Sequence, residues 1–300
     1  MTHIPVLLHE VVNVLDPKTG ECFVDGTLGG GGYAAEILNR FGGSGKFLGI
    51  DWDSRMLRDA QERISGIAGP GVELALEVGN YADLLDILGE KGFGRADGIV
   101  LDLGFSSDHV GVSGRGFSFM RDEPLLMTYS DDATPVKELI RGMDESELRG
   151  IIRAFGEERY AGRIARAIKE RLRRGKIEMS GELTEIIVKA LPRQYERGRI
   201  HPATRTFQAL RIFANRELEN LEQFIETLPE IVAPGGRVAI VSFHSLEDRI
   251  VKHGFRGIVS EGLATLITKK PITPTLSEIA ENPRARSAKL RAISFLPKTN

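Results

Sequence analysis

The sequence has little of several residue types that define whole classes of protein. Its 300 residues include one cysteine, Cys22, and one tryptophan. A single cysteine excludes an intramolecular disulfide and any metal site made of cysteines alone. No apolar run approaches the roughly eighteen residues that cross a bilayer, so we expect no membrane partner.

The N-terminal segment also lacks the basic flank of a secretory signal, and His9 and Glu10 fall within its first apolar stretch. We therefore expect a cytoplasmic protein. Hydrophobic residues make up 41% of the chain and charged residues 27%, which is ordinary for a globular protein and excludes a disordered or fibrous one. The length allows one large domain or two smaller ones.

Positive charge is concentrated in one block. The net charge of the chain is −2, but residues 149–216 contain 17 Lys and Arg against 7 Asp and Glu, a local charge of +10. The remainder therefore carries −12. Such a block indicates a surface for a polyanion, usually nucleic acid, and the alternative is a solvated helical face.

The first 105 residues alternate between strand and helix patterns, which is typical of an α/β fold. Strands are predicted at 21–25, 46–51, 72–77 and 98–102, and helices at 33–41 and 54–64. The next comparable strand, 237–241, comes about 130 residues later, although a βαβ crossover needs roughly 30. One apolar stripe over 205–228 predicts a single crossover helix that ends at Pro229.

Residues 108–203 are more than the crossover between these strands requires, so we predict that they form an inserted domain. We expect a core formed by 1–107 and 204–300, an inserted helical substrate-recognition domain at 108–203, and an irregular C-terminal extension at 254–300. Within the insertion, an apolar face over 161–172 predicts a helix. Arg163, Arg166 and Arg173 lie off that face and are candidate nucleic-acid contacts, together with Arg205 and His244 from two polar strings described below.

A glycine-rich turn follows the first predicted strand and indicates a nucleoside cofactor. Gly26 and Gly29 to Gly32 let the backbone approach a ligand, and Asp51, which ends the second strand, is placed to bind ribose hydroxyls. Gly29-x-Gly31-x-x-Ala34 also satisfies the dinucleotide pattern, so an NAD enzyme remains an alternative. Asp25 before the glycines favours S-adenosylmethionine, whose methionine end carries an ammonium group.

Other polar residues follow later strands. Asp102 ends the fourth strand, and the strings 201–208 and 242–249 lie around the crossover helix and the fifth strand. Ligands of open α/β sheets bind at the carboxyl ends of the strands. His244, Glu247 and Asp248 lack the spacing of a metal site, so we predict no metal.

Several strings resemble one family over nearly the whole chain, the bacterial 16S ribosomal RNA cytosine-N4 methyltransferases (the RsmH or MraW family). They are HIPVLLHE at 3–10, GRGFSFMRD at 114–122, GEERY at 156–160, HPATRTFQ at 201–208, SFHSLEDR at 242–249 and ENPRARS at 281–287. The resemblance implies a Rossmann-like, S-adenosylmethionine-dependent methyltransferase with an inserted helical domain. Its substrate would be a cytosine in the decoding region of 16S rRNA within the small ribosomal subunit, not DNA. The oligomeric state stays open.

The resemblance also implies a set of cofactor-binding residues. They are Gly31, Gly32, Tyr33, Asp51, Tyr81, Asp102 and His109. The chain departs from the family in two places. Tyr33-Ala34 stands where the family has His-Ser, and Leu126, Thr128 and Ser130 stand where it has Asp, Arg and Asp.

Methylation of the cytosine amine requires acceptors for its hydrogens, because its lone pair is delocalised into the ring. Asp102 is the candidate catalytic residue, and His244 or Asp248 are alternatives for the same role. Two rival functions remain at this point. One is an NAD-dependent oxidoreductase. The other is a non-catalytic RNA-binding descendant of the family, suggested by the neutral residues at 126–130.

Overall fold

A computed structural model describes residues 5–104, 114–195 and 200–297. The chain forms two compact units, one made of residues 1–104 and 218–300 and the other of residues 105–217. The predicted insertion, 108–203, falls inside the second unit, which also contains 204–217. Among the described residues, none of the helices is both long and apolar enough to cross a membrane.

The first unit contains a mixed sheet whose order is that of a doubly wound fold. Its described strands are β1 Cys22–Asp25, β2 Ser44–Asp51, β3 Gly71–Val78, β4 Ala96–Asp102, β5 Val232–Ser242, β6 Ala264–Leu266 and β7 Lys289–Phe295. They lie in the order β3-β2-β1-β4-β5-β7-β6, with β1 to β5 parallel and β7 antiparallel to both neighbours. The order reverses between β1 and β4, where such sheets bind ligands. The predicted Rossmann-like α/β fold is confirmed.

The described helices are numbered in chain order. They are α1 Leu8–Leu15, α2 Gly32–Arg40, α3 Ser54–Ile64, α4 Leu84–Lys91, α5 Val136–Gly142, α6 Glu145–Gly156, α7 Ala161–Arg174, α8 Ser180–Ala190, α9 Thr204–Asn215, α10 Glu217–Ile231, α11 Ser245–Ser260 and α12 Leu276–Glu281. Side chains of α1, α2 and α3 cover one face of the sheet, and those of α4, α10 and α11 cover the other. Both faces of the central strands are therefore buried.

The prediction of a single crossover helix was wrong. Two helices, α9 and α10, meet at Arg216, whose φ of 51° is left-handed and ends the first of them. The Asn215 amide donates to the Met127 carbonyl at 2.8 Å, and Arg211 forms a two-pronged ion pair with Glu217 at 2.8 and 2.9 Å, which fix this turn. Pro229 does not end the second helix. It lies in the last turn of α10, which continues to Ile231.

The prediction of an irregular segment at 254–300 was also wrong. Helix α11 continues to Ser260, and β7 pairs with β5 from Arg237 opposite Ser294 to Ser242 opposite Lys289. Charged and apolar residues alternate at the start of β7, because only one side of that stretch faces the core.

In the second unit, helix α7 has the predicted amphipathic form. Ala161, Ile164, Ala165 and Ile168 are buried in that unit's core, to which α6, α8 and α9 also contribute. The segment that departs from the family pattern is packed here as well. Leu125 and Met127 are fully buried, Thr128 is buried, and the Thr128 carbonyl accepts from Arg115 at 3.1 Å.

Candidate active site

The glycine-rich turn joins β1 to α2 in a conformation that requires glycine. Gly31 precedes α2 with a left-handed φ of 72°. A Cβ on Gly32 would lie 2.2 Å from Pro5 Cγ, so no side chain fits there. The backbone at the carboxyl end of β1 therefore forms a tight turn that needs glycine, as the sequence predicts.

Asp51 holds this turn from the end of β2. Its Oδ2 accepts the Gly29 amide at 2.8 Å, and its Oδ1 accepts the Asp53 amide at 2.9 Å. Each carboxylate oxygen can accept a second bond. Asp51 thus fixes the glycine turn and the start of α3 at the same time.

Asp25 is a fully buried carboxyl at the end of β1. Its Oδ1 accepts the Thr27 amide at 3.1 Å, whereas Oδ2 is buried with no hydrogen-bond partner among the described residues. Burial raises the pKa of Asp25 to about 7, and the charge of Asp51 acts in the same direction. A cationic group at this position would relieve that cost.

Asp102 provides a second such carboxyl at the end of β4, the strand that pairs with β1. Its amide donates to Thr27 Oγ1 at 2.6 Å, and its Oδ1 is buried without a partner among the described residues. Burial raises the pKa of Asp102 well above its ordinary value, and the charges of Asp25 and Glu247 add to the shift. Two acidic groups with unsatisfied oxygens therefore lie at the switch point of the sheet.

We expect the ligand-free stability to show the raised pKa of Asp25. The pKa of Asp25 is near 3.8 in the unfolded chain and about 7 in the folded one. Its contribution to the free energy of unfolding is therefore largest below pH 4, where the carboxyl is protonated in both states. That contribution is lost as pH rises to 7, on the order of 2 to 4 kcal/mol. In denaturant unfolding without ligand, Asp25→Asn should therefore gain stability relative to wild type between pH 4 and 8.

The control for this experiment is Asp59→Asn, which changes an exposed carboxyl on α3. Its stability should follow the wild-type pH dependence. Parallel pH curves for Asp25→Asn and wild type would contradict the buried, unsatisfied state of Asp25.

The two tyrosines of the predicted cofactor set are both buried. Tyr81 begins a short 3-10 helix after β3 and packs edge-on against Phe224, with ring centroids 5.7 Å apart. Tyr33 lies in the core beside α1, and its hydroxyl donates to the Val6 carbonyl. Burial raises the pKa of Tyr33 well above its ordinary value. The Tyr33 hydroxyl is thus engaged with the protein's own backbone.

The alternatives to Asp102 have different surroundings. His244 caps α11: its Nδ1 accepts the Glu247 amide at 3.3 Å, whereas its buried Nε2 lies 3.0 Å from Glu247 Oε1 but has no hydrogen-bond partner among the described residues. Asp248 accepts from Arg291 at 2.7 Å and from Lys289 at 3.0 Å. Burial opposes ionisation of Asp248, but these two cations hold its pKa below the ordinary value. Asp248 is therefore a poor proton acceptor.

The candidate RNA contacts lie mostly on the second unit. Arg163, Arg166 and Arg173 are exposed along α7, and Arg166 lies 3.6 Å from the Glu145 carboxylate. Arg205 is half-buried in α9. His109 falls outside the described residues.

Thr27 is a residue of the site that the sequence did not predict. The Thr27 backbone amide donates to the Asp25 carboxyl, and its hydroxyl accepts the Asp102 backbone amide, so one residue contacts both acidic residues. The available signal was an Asp at the end of a strand, because an Asp side chain commonly accepts the backbone amide two residues later.

Comparison with known proteins identifies the family. The family model described as the MraW methylase family matches residues 1–296. The chain belongs to this family. The resemblance drawn from its motifs is confirmed, and this member of the MraW methylase family is a methyltransferase.

Two relatives with high similarity are named ribosomal RNA small subunit methyltransferase H. The one from Syntrophus aciditrophicus (strain SB) is 42% identical over 305 residues, which cover 96% of each chain. The one from Dictyoglomus thermophilum is 44% identical over 291 residues, covering 96% of this chain and 95% of its own. A solved rRNA methylase from Streptococcus thermophilus matches 98% of this chain and 99% of its own at 12% identity, with a TM-score of 0.45. Because that score is below 0.5, membership in the MraW methylase family rests on the sequence matches.

Proposed function

We propose that this chain transfers a methyl group from S-adenosylmethionine to the N4 amine of a cytosine in the decoding region of 16S rRNA, within the small ribosomal subunit. Family membership and the name of its relatives support the reaction and the substrate. The structural observation that carries the proposal is the pair of buried carboxyl oxygens of Asp25 and Asp102 at the switch point of the sheet, neither of which has a hydrogen-bond partner in the described part of the chain.

These residues fit S-adenosylmethionine better than a dinucleotide. The cofactor supplies a methyl group on a positively charged sulfonium, and its methionine end carries an ammonium group. A cationic group would satisfy Asp25 Oδ2 and offset the negative charge around Asp102, whereas the pyrophosphate of NAD would add negative charge beside two carboxyls whose pKa values are already raised. The site therefore favours the methyltransferase over the NAD-dependent oxidoreductase.

The remaining cofactor contacts follow from the same edge of the sheet. Asp51 would accept the ribose hydroxyls while it holds the glycine turn through Gly29. Tyr81 would lie beside the adenine, because it follows the neighbouring strand β3. The turn at Gly31 and Gly32 would bring the backbone against the cofactor.

The reaction mainly requires alignment of the acceptor amine with the donor. Asp102 would accept a hydrogen bond from the exocyclic amine, which draws the nitrogen lone pair out of conjugation, and it would later help to remove a proton. Thr27 holds the Asp102 backbone in place through its hydroxyl. The cytosine must leave its stack to reach this position.

The experiment that tests the proposal compares small-subunit RNA from cells with and without this protein by mass spectrometry. Loss of one N4-methylcytosine in the decoding region is the expected result. Unchanged methylation would favour the second candidate, a non-catalytic RNA-binding descendant. That candidate is motivated by the neutral, packed segment that contains Leu126 and Thr128.

We also propose that the arginines of α7 bind RNA phosphates. Replacing Arg163, Arg166 and Arg173 with Glu should weaken binding to the small subunit at least tenfold near 0.1 M salt. It should lower the slope of log affinity against log salt by about 2, since each lost phosphate contact removes roughly 0.7 to 0.9. Titration at several salt concentrations measures both, and cofactor affinity should stay within twofold of wild type.

The control for this triple variant replaces three exposed cations of the first unit, Lys18, Arg58 and Arg95, with Glu. It has the same change in net charge. An equal loss in both variants would assign the effect to net charge, and an unchanged slope in the α7 variant would show that this helix face is only solvated.

A further inference from the structure

The C-terminal part of the first unit differs in charge from the rest of that unit. Residues 249–300, here called the C-terminal basic segment, contain 10 Lys and Arg against 3 Asp and Glu, a net charge of +7. The remainder of the unit, 1–104 with 218–248, contains 9 against 22, a net charge of −13. The excess of positive charge in this unit thus lies in its C-terminal part, whereas the remainder has an excess of negative charge.

Four cations of this segment surround one shallow hollow. Lys252 and Arg256 come from α11, Lys269 from the stretch after β6, and Arg291 from β7. Within the part of the chain that the structure describes, no Asp or Glu lines the hollow, whose volume is about 10 Å³. Three separate elements of the fold therefore bring positive charge to a single point.

Most of this charge is not neutralised within the described part of the chain. Arg291 pairs with Asp248, which fixes its position on β7. Lys252, Arg256 and Lys269 form no ion pair or hydrogen bond with another described side chain. Lys252 and Arg256 are also four residues apart on one helix, a spacing at which like charges repel. An anion bound between them would relieve that repulsion.

The size of the hollow restricts what that anion can be. A volume of about 10 Å³ holds roughly one water-sized group, so the hollow accepts a single oxygen and cannot enclose a metabolite. A phosphate in the backbone of a polymer fits both the size and the positive charge of the hollow. One of its oxygens enters the hollow while the rest of the group contacts the surrounding cations. The RNA backbone supplies such phosphates.

We propose that Lys252, Arg256 and Lys269 form a phosphate-binding site for the backbone of the RNA substrate, on the methyltransferase core and separate from the arginines of α7. The proposal rests on the proposed function, since it takes the RNA substrate from it. The site adds a contact that orients RNA on the unit that holds the cofactor residues.

The test replaces Lys252, Arg256 and Lys269 together with Gln and measures binding to small ribosomal subunits at several salt concentrations. We expect at least a fivefold loss of affinity near 0.1 M salt and a decrease of about 1 to 2 in the salt slope. Affinity for S-adenosylmethionine should remain within twofold of wild type. The matched control is Lys18→Gln with Arg58→Gln and Arg95→Gln, three exposed cations of the same unit, and it should retain the wild-type slope.

Inorganic phosphate separates an RNA contact from a site for a free anion. Suppose that the variant with Gln at Lys252, Arg256 and Lys269 loses thermal stabilisation by inorganic phosphate. Suppose also that it binds the subunit with the affinity and the salt slope of wild type. The hollow then binds a free anion, and the RNA proposal is overturned. Equal losses in the control variant would overturn it as well. If wild type binds subunits with the expected difference from the variant but transfers no methyl group, the proposed function fails and this site stands.

Discussion

Replacing Asp51 with Ala should weaken binding of S-adenosylmethionine by about 30- to 1,000-fold, measured by isothermal titration. The side chain would accept the ribose hydroxyls, and two lost bonds that leave buried groups unpaired correspond to about 2 to 4 kcal/mol. The structure adds a second reason. Asp51 also accepts the amides of Gly29 and Asp53, so the glycine turn loses its support from β2.

The control is Asp59→Ala, which removes an exposed carboxyl from the helix that follows Asp51. It should bind the cofactor as wild type does. Thermal unfolding of both variants identifies any loss that comes from unfolding. A dissociation constant for Asp51→Ala within about threefold of wild type would contradict the ribose assignment.

Replacing Asp102 with Asn should lower the single-turnover rate of methyl transfer at saturating cofactor by about 100-fold or more. Asn keeps the shape of the side chain but places an amide where a carboxyl accepts the hydrogens of the cytosine amine. The variant should remain folded, because it removes a buried carboxyl whose Oδ1 has no partner among the described residues.

Asp97 offers a matched control at the other end of the same strand. Its carboxylate accepts the Cys22 amide at 2.8 Å, away from the carboxyl edge where Asp102 lies. Asp97→Asn should transfer methyl groups at a rate near that of wild type. If Asp102→Asn does the same, another group positions the amine.

The parallel part of the fold could be predicted because its signals are local. Buried strands such as β4 are short apolar runs, and α3 was predicted with its observed bounds, Ser54–Ile64. The polar residues at strand ends were predicted to meet at one edge, and the order of β1, β2 and β4 brings Asp25, Asp51 and Asp102 there. The order of the strands in the sheet is therefore what brings these three residues together.

The features that were missed depend on tertiary contacts. The break at Arg216 is fixed by Asn215, which bonds to the carbonyl of Met127, a residue 88 positions away. The strand β7 was read as irregular because Lys289 and Arg291 interrupt its apolar positions. In the structure both pair with Asp248, so the charges fit within the sheet.

The chemistry of the site was likewise only partly visible in the sequence. Asp25 and Asp102 are acidic residues in the printed chain, but their raised pKa values arise from burial, to which the charge of Asp51 adds at Asp25 and the charges of Asp25 and Glu247 add at Asp102. The pairing of Asp248 with two cations could not be read from the string that contains it. That pairing is what distinguishes Asp248 from Asp102 as a proton acceptor.

The proposed reaction is tested most directly by single-turnover transfer of a labelled methyl group from S-adenosylmethionine to undermethylated small ribosomal subunits by the wild-type protein. We expect one methyl group per subunit, on the N4 atom of a cytosine in the decoding region, as located by mass spectrometry of the RNA. No transfer at saturating cofactor, or transfer to a different atom, would contradict it.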